Sequence, residues 1–435
     1  MPEVSMRFSI WPFISTRKLL GRAPGLLLGL LMVPALMFAG DASPADSDKE
    51  AIKTLLRRVE QLEARVAQLE AQQKPAPQTP SSSAPAPAPA PAASESAPAQ
   101  EPGPMMAPER MDTRTLMQIR GFGDMTFHGS DARNTHTAFS LGQLNLFVTS
   151  DISEKFRLLS EIVFEADQQN AFGVDVERLL LQYSHNDFFN FSVGRYHTDI
   201  GFYNTAYHHS AWLQTAVGRP YLFEFEDKGG ILPIHNVGAT VYGAIPSGRL
   251  GLHYLAEVGN GRASHSPLAE PVQNLVDENN GKSVNVALYA RPNAVQGLQV
   301  GFSAYHDGLH PAAAASIGEE IFAAHAVLQR PKFEWLNEAL VIRHAVDGGH
   351  TFDTPGFYTQ ISKAFGPYRP YFRYQYVNAS DHEPVFPFVG LQHGPSVGLR
   401  FDASEAVALK LQYDHFNYRQ QPSVNGLELQ FAFTF

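Results

Sequence analysis

The sequence predicts an all-β fold: a transmembrane antiparallel β-barrel of about 16 strands, preceded by a short α-helical coiled coil. Three observations carry this. From about Leu116 onward the chain alternates apolar and polar residues, with turn residues between the runs, a period of two that marks half-buried strands. The stretch Asn425–Phe435 puts Leu427, Leu429, Phe431, Phe433 and Phe435 on one face and Glu428, Gln430, Ala432 and Thr434 on the other. The N-terminus has the layout of a secretory signal, and the chain has no cysteine. A soluble β-sandwich also alternates, so the pattern alone leaves that alternative open. Its combination with the leader, the aromatic strand ends and the terminal Phe435 favours a face turned to lipid.

Composition narrows the class. The chain has 435 residues, a net charge of −10 and 44% apolar residues, with a mean hydropathy of −0.19. A helical membrane protein of this length would be far more apolar. The negative charge argues against a nucleic-acid partner. Absence of cysteine removes disulfides, thiolate metal sites, cysteine nucleophiles and a lipid anchor on cysteine. Thirty Phe and sixteen Tyr are enough for aromatic girdles.

Taken in order, residues 1–42 read as the signal peptide. Arg17, Lys18 and Arg22 flank an apolar core, Leu26–Phe38, and the small residues Ala39, Gly40 and Ala42 follow. Residues 49–73 read as a coiled coil with its seam at Ile52, Leu55, Val59, Leu62, Val66 and Leu69, spaced alternately three and four. Ile or Val at a with Leu at d favours dimers. Two runs, Arg58–Glu63 and Arg65–Glu70, resemble short parallel trimeric coils, and Leu56 widens the seam, so a trimer is expected. Residues 74–110 form a Pro/Ala-rich linker that cannot bury a core; at ~3.1 Å per residue it reaches roughly 100 Å.

Residues 112–435 are the barrel. Leu252, Tyr254, Ala256 and Val258 oppose His253 and Glu257. Val284, Val286 and Leu288 oppose Ser283, Asn285 and Tyr289. Leu298, Val300, Phe302 and Ala304 oppose Gln299, Gly301, Ser303 and Tyr305. Val407, Leu409, Leu411 and Tyr413 oppose Ala408, Lys410, Gln412 and Asp414. The stretches near Phe156, Val174 and Ile321 alternate less cleanly. The second face carries Gly, Ser, Asn, Gln and charge, as a water-filled lumen requires.

This layout of coiled coil, Pro/Ala spacer, barrel and terminal Phe resembles trimeric outer-membrane porins of Gram-negative bacteria that carry an N-terminal periplasmic coiled coil, and more loosely the phosphate-selective porins. Terminal Phe also resembles the signal by which such barrels are recognised for insertion. The resemblance implies passive diffusion of small hydrophilic solutes through a lumen narrowed by an inward loop. It implies an outer-membrane lipid surround and a homotrimer with its coiled coil in the periplasm; cell-wall contact by that arm belongs to a separate, structural reading. No cofactor is expected.

Alternation nominates Arg120, Asp124, Arg195, Glu257, Arg369, Arg373, Arg400, Lys410 and Glu428 for the pore lining, each weighed against a charge that only solvates or pairs across strands. The segment 194–236 breaks the strand rhythm and is expected to fold into or over the pore. It would bring His197, His208, His209, Arg219, Glu224, Glu226, Asp227 and Lys228 there, with Trp212 and Tyr203 as a wall. The alternative is a loop outside the pore, packed on its neighbours. His208–His209 is a poor chelate, because adjacent strand residues point apart; no metal ligand is assigned. Over 112–435 there are 22 Lys and Arg against 32 Asp and Glu, so a basic ladder for phosphate is not evident. No G-x-S-x-G elbow or convincing Ser/His/Asp set supports an outer-membrane enzyme. A structural barrel whose arm bridges toward the cell wall remains a third reading.

Overall fold

The structure, a computed structural model, describes residues 116–435 apart from 134, 167–170, 263–276, 278, 312–313 and 420. The signal at 1–42, the coiled coil at 49–73 with its seam, and the linker at 74–110 lie outside the described residues.

Sixteen strands form one closed barrel: β1 (Leu116–Ser130), β2 (Ala138–Asp151), β3 (Phe156–Ala166), β4 (Phe172–Asn186), β5 (Phe189–His197), β6 (His235–Ile245), β7 (Leu252–Gly259), β8 (Ser283–Ala290), β9 (Leu298–Leu309), β10 (Ile317–Arg330), β11 (Phe333–Val346), β12 (Thr351–Lys363), β13 (Tyr368–Asn378), β14 (Leu391–Asp402), β15 (Val407–Tyr418) and β16 (Val424–Thr434). Each strand pairs antiparallel with its sequence neighbours, and β1 pairs with β16, so the sheet has no unpaired edge strand. The even count puts the start of β1 and the end of β16 at one rim. The seam is finished by Phe435, whose N–H donates to Gly121 O and whose carbonyl accepts from Gly121 N–H, both at 2.9 Å. The Phe435 ring lies over Gly121, where a Cβ would stand 2.1 Å from it and make the ring shift.

The outward face is apolar around the circumference. Phe139, Leu288, Phe302, Trp335, Phe372, Leu411, Leu427 and Phe433 are all exposed. A water-soluble monomer rarely shows contiguous apolar surface on this scale, whereas a lipid-facing barrel must. Among the described residues no helix is long and apolar enough to cross a membrane.

Two of the stretches with poor alternation contain an irregular register. Between β3 and β4 the partners change from Glu161↔Arg178 to Ile162↔Val176, which leaves Glu177 as an extra residue on β4. The third, β10, has a different cause. Its inner face carries Ile321, Ala323 and Val327, and β11 adds Leu336, Leu340 and Ile342. The expected polar lumen face is therefore corrected over this sector, where large apolar residues point inward. They face a loop instead of water.

That loop joins β5 to β6 and spans 198–234. The predicted break at 194–236 overshoots slightly, because 194–197 and 235–236 stay in strands. The hairpin end is set apart from the wall. Pairing of β4 with β5 stops at Leu179↔Arg195, pairing of β6 with β7 stops at Gly238↔Gly259, and β5 pairs with β6 on to His197↔His235. Gly194 sits at φ 130°, where a Cβ would meet Leu179 O at 1.9 Å, so only glycine serves at this departure point. Beyond it Arg195, Tyr196 and His197 are all buried, which alternation on a lipid-backed wall would forbid.

Within the loop lie one helical turn, α1 (Tyr203–Ala206), and 3₁₀ turns at Tyr221–Phe223 and Glu226–Lys228. Ile200, Phe202, Tyr203, Leu222, Phe223, Ile231 and Leu232 pack in one cluster with Ile321, Val327, Leu336, Leu340, Tyr358 and Val377 of the wall. This is the apolar core of the molecule, and it lies inside the barrel.

Candidate functional site

The loop is held on three sides of the lumen. On the β7–β12 side the anchors are carboxylates. Glu338 accepts from the N–H groups of Phe202 (2.5 Å) and Tyr203 (2.9 Å), at the start of α1, and from Tyr358 Oη at 2.6 Å. Glu257 accepts from Asp199 N–H at 3.1–3.2 Å and from Asn285 Nδ2 at 2.8 Å. Glu334 accepts from Tyr207 Oη at 2.9 Å. Strand parity alone would have nominated Glu334 and Glu338, because they share the even positions of β11 with Leu336 and Leu340.

On the β13–β15 side the anchors are cations and the acceptors are loop carbonyls. Lys410 Nζ donates to Ala211 O (2.6 Å), Ala216 O (3.0 Å) and Gln430 Oε1 (2.9 Å). Arg400 Nη1 donates to Trp212 O (2.7 Å) and Gln214 O (2.9 Å), with its Nε on Asp402. Arg373 donates to Arg219 O (3.1 Å) and Gly218 O (3.0 Å). The register sets Arg369 opposite Arg400 and Arg400 opposite Lys410, so three cations form one row across β13, β14 and β15. A basic row was not evident in the linear sequence, because these residues lie on different strands. Like charges directly opposite repel. The loop carbonyls offset that repulsion, and Arg369 is capped separately by Pro331 O at 2.9 Å.

On the β2–β4 side Glu161 is the anchor. It is fully buried and accepts from Asn145 Nδ2 (2.5 Å), Arg178 Nε (2.6 Å) and His209 N–H (3.3 Å), with His208 Nδ1 at 2.9 Å. His208 also stacks on Phe147 at 5.0 Å. His209 goes the other way, stacked on Phe225 at 3.8 Å beside His197 and His235. The adjacent pair does diverge, as its spacing implies. Burial pushes the His209 imidazole down to about 3 and the Asp199 carboxyl up to about 6.

Several nominated residues need correction. Arg195 does not line the pore; it is buried at the hairpin root, with Nε on Glu177 O at 3.0 Å. Arg373 and Lys410 are buried under the loop and do not face open water. Arg219 holds the loop to itself through Tyr207 O (2.8 Å) and Phe223 O, with its guanidinium 4.1 Å from the Phe225 ring centre. Glu226 accepts from His235 N–H at 2.9 Å. Asp227 and Lys228 are exposed, and Lys228 Nζ lies 3.5 Å from Glu165. Glu224 is half-buried and accepts from Phe225 N–H. Trp212 is half-buried under the Arg400 guanidinium. Asp124 accepts from Gln143 N–H at 3.1 Å and Gln430 at 3.3 Å. Glu428 stands between His128 and Gln412 on the inner face, and Arg120 stands opposite Phe147.

Open volume remains beside the loop. One cavity of about 490 Å³ is lined by Tyr207, Leu213, Thr215, Arg330, Glu334, Arg369, Arg400 and Asp402. Another, of about 650 Å³, lies between Phe202 and the β8–β9 turn at Arg291–Leu298. A third, of about 250 Å³, lies beside Tyr221, Phe388 and Arg419.

A closed sixteen-stranded barrel with an apolar exterior and a long inward loop after its fifth strand is the architecture of a porin-type barrel. Comparison with solved structures gives the same class. The chain is similar to the anion-selective porin from Comamonas acidovorans (TM-score 0.54, 12% identity, covering 74% of this chain and 100% of that one). It is similar to Salmonella typhi OmpF in complex with daunomycin (TM-score 0.53, 11% identity, 73% and 97%). It is also similar to the outer membrane channel DcaP of Acinetobacter baumannii (TM-score 0.50, 11% identity, 74% and 97%). The fold is that of Gram-negative outer-membrane porins. No protein-family model matches the sequence, and no curated protein matches it.

Proposed function

We propose that the protein is an outer-membrane porin of a Gram-negative bacterium, a channel for passive diffusion of small hydrophilic solutes or ions, with loop 198–234 as its constriction. The observation that carries this is the loop itself, a hydrophobic and hydrogen-bonded plug inside a barrel whose outer face is apolar. Cavities beside the loop support an aqueous path past it. The lining of the 490 Å³ cavity sets Arg330, Arg369 and Arg400 against Glu334 and Asp402, an excess of cations that supports a preference for anions. Planar-bilayer recording tests the reading. The purified barrel is expected to conduct, with a reversal potential of anion-selective sign in a salt gradient, and Arg369→Gln with Arg400→Gln is expected to move that potential toward cations. A folded barrel that passes no current would sink the channel.

A second reading is a structural outer-membrane barrel whose periplasmic arm reaches the cell wall. The loop's anchoring on three sides of the lumen favours it, and the same recording separates the two. The seam from Ile52 to Leu69 contributes to a homotrimer, with most of the association supplied by the barrel, since three heptads alone are marginal. Val59→Asp with Leu62→Asp is expected to convert trimers to smaller species on mild detergent gels; unchanged trimers would assign association to the barrel alone.

A further inference from the structure

We propose that His197, His209, His235 and Glu177 form a binding site for a divalent transition-metal ion, which staples the middle of the loop to both its roots and to the wall. His197 ends β5, His235 begins β6, His209 lies midway along the loop, and Glu177 is the bulged residue of β4. One ring nitrogen from each histidine lies within 4.8 Å of the other two, and all three side chains are buried.

The spacing fits a coordination polyhedron. His209 Nε2 stands 3.2 Å from His235 Nε2. Glu177 Oε2 stands 3.0 Å from His235 Nε2 and 3.6 Å from His209 Nε2. Ligands about 2.0–2.1 Å from a tetrahedral zinc ion are about 3.3–3.4 Å apart.

The surroundings prepare the ligands. His235 Nδ1 lies 3.0 Å from Glu226 Oε2, and His197 Nδ1 lies 3.1 Å from Asn204 O. Each acceptor suits a proton on Nδ1, which turns Nε2 toward the site, the arrangement by which metal-binding histidines are oriented; at His235 the metal would take the place of the proton shared in the 3.0 Å contact of Nε2 with Glu177 Oε2. His197 Nε2 is buried without a hydrogen-bond partner, a cost that coordination would remove. Three imidazoles and a carboxylate suit Zn²⁺, Cu²⁺ or Ni²⁺ over Mg²⁺ or Ca²⁺. Arg195, with Nη2 3.6 Å from Glu177 Oε2, is the one cation that approaches the carboxylate among the described residues, and it does not displace the imidazoles.

The test uses untagged full-length protein, stripped with chelator and held in detergent. Zn²⁺ is titrated by calorimetry, and Co²⁺ substitution reports tetrahedral geometry by its visible absorption. One Zn²⁺ per chain is expected. His209→Ala should abolish it, and since His209 lies on the loop the strand ladder survives. Glu226→Gln should weaken it by about 10–100-fold. His208→Ala, which touches Glu161 instead, should leave it unchanged. The site is overturned if the wild type binds no more Zn²⁺ than His209→Ala, or if His208→Ala is as damaging. A heat-shifted band on gels confirms that each variant is folded. Binding is read without current, so the outcome does not depend on the channel.

Discussion

Deleting Thr205–Gly218 is expected to raise single-channel conductance several-fold while the barrel stays closed. The deleted segment supplies the carbonyls of Ala211, Trp212, Gln214, Ala216 and Gly218 that cap Lys410, Arg400 and Arg373. It also carries both histidines that reach Glu161 and the tyrosine that reaches Glu334. None of these bonds belongs to the strand ladder. Stripping a partner from a buried charge costs about 3–5 kcal/mol. That cost falls once water fills the vacated lumen and solvates the freed cations. Glu338→Leu is the point version. It orphans two N–H donors at the start of α1 and the Tyr358 hydroxyl, at about 1–3 kcal/mol each if they stay dry. Larger current noise and higher mean conductance are expected from it. Unchanged conductance in the deletion, with a barrel that still shifts on heating, would remove the loop from the conduction path.

Removing Phe435 is expected to cut the amount of assembled barrel drastically. Its two backbone bonds to Gly121 are the last rung of the β1–β16 seam. At about 1 kcal/mol each they change the closure equilibrium by a factor of about 30. The ring adds cover over Gly121, which has no side chain of its own. Refolding into detergent and insertion in cells separate the two roles. Poor refolding in both marks a failure to close. Normal refolding with failed insertion marks Phe435 as the recognition signal its position resembles. Full assembly of the truncated chain would discount both.

The barrel was legible in the sequence because lipid on one side and a lumen on the other enforce alternation over long stretches. Val284 to Leu288 and Val407 to Tyr413 show it, and their faces agree with the burial in the structure. Legibility failed where that condition lapsed. At β3 and β4 the extra residue Glu177 shifts the register, so two-residue counting loses phase. At β10 and β11 the lumen side is not aqueous, so Ile321 and Leu340 look misplaced until the loop is seen against them. The basic row and the histidine cluster are assembled from residues far apart in sequence. Strand register fixes the first, and loop folding fixes the second. Neither is present in local spacing. The side chains at 369, 400 and 410 share one row of the sheet, and what spacing could not show is that loop carbonyls cap two of them.

The separations spanned by the loop's anchors also bear on the order of assembly. Gly201 N–H reaches Ser303 across 102 residues, and Lys410 reaches Ala211 across 199. Contacts of such length form late, since the intervening chain must first be ordered. Ser303, Glu338, Arg373 and Lys410 all lie on strands made after the loop, so the loop has no place to dock until β9 to β15 stand in register. A chain caught before that point would hold its first strands paired and its loop undocked, with Tyr203 and Phe223 in water. Loop docking is therefore a late event, with the β1–β16 seam later still, since Thr434 reaches Gly121 across 313 residues, and the time between strand pairing and loop docking is an interval in which this chain is exposed to proteolysis and aggregation.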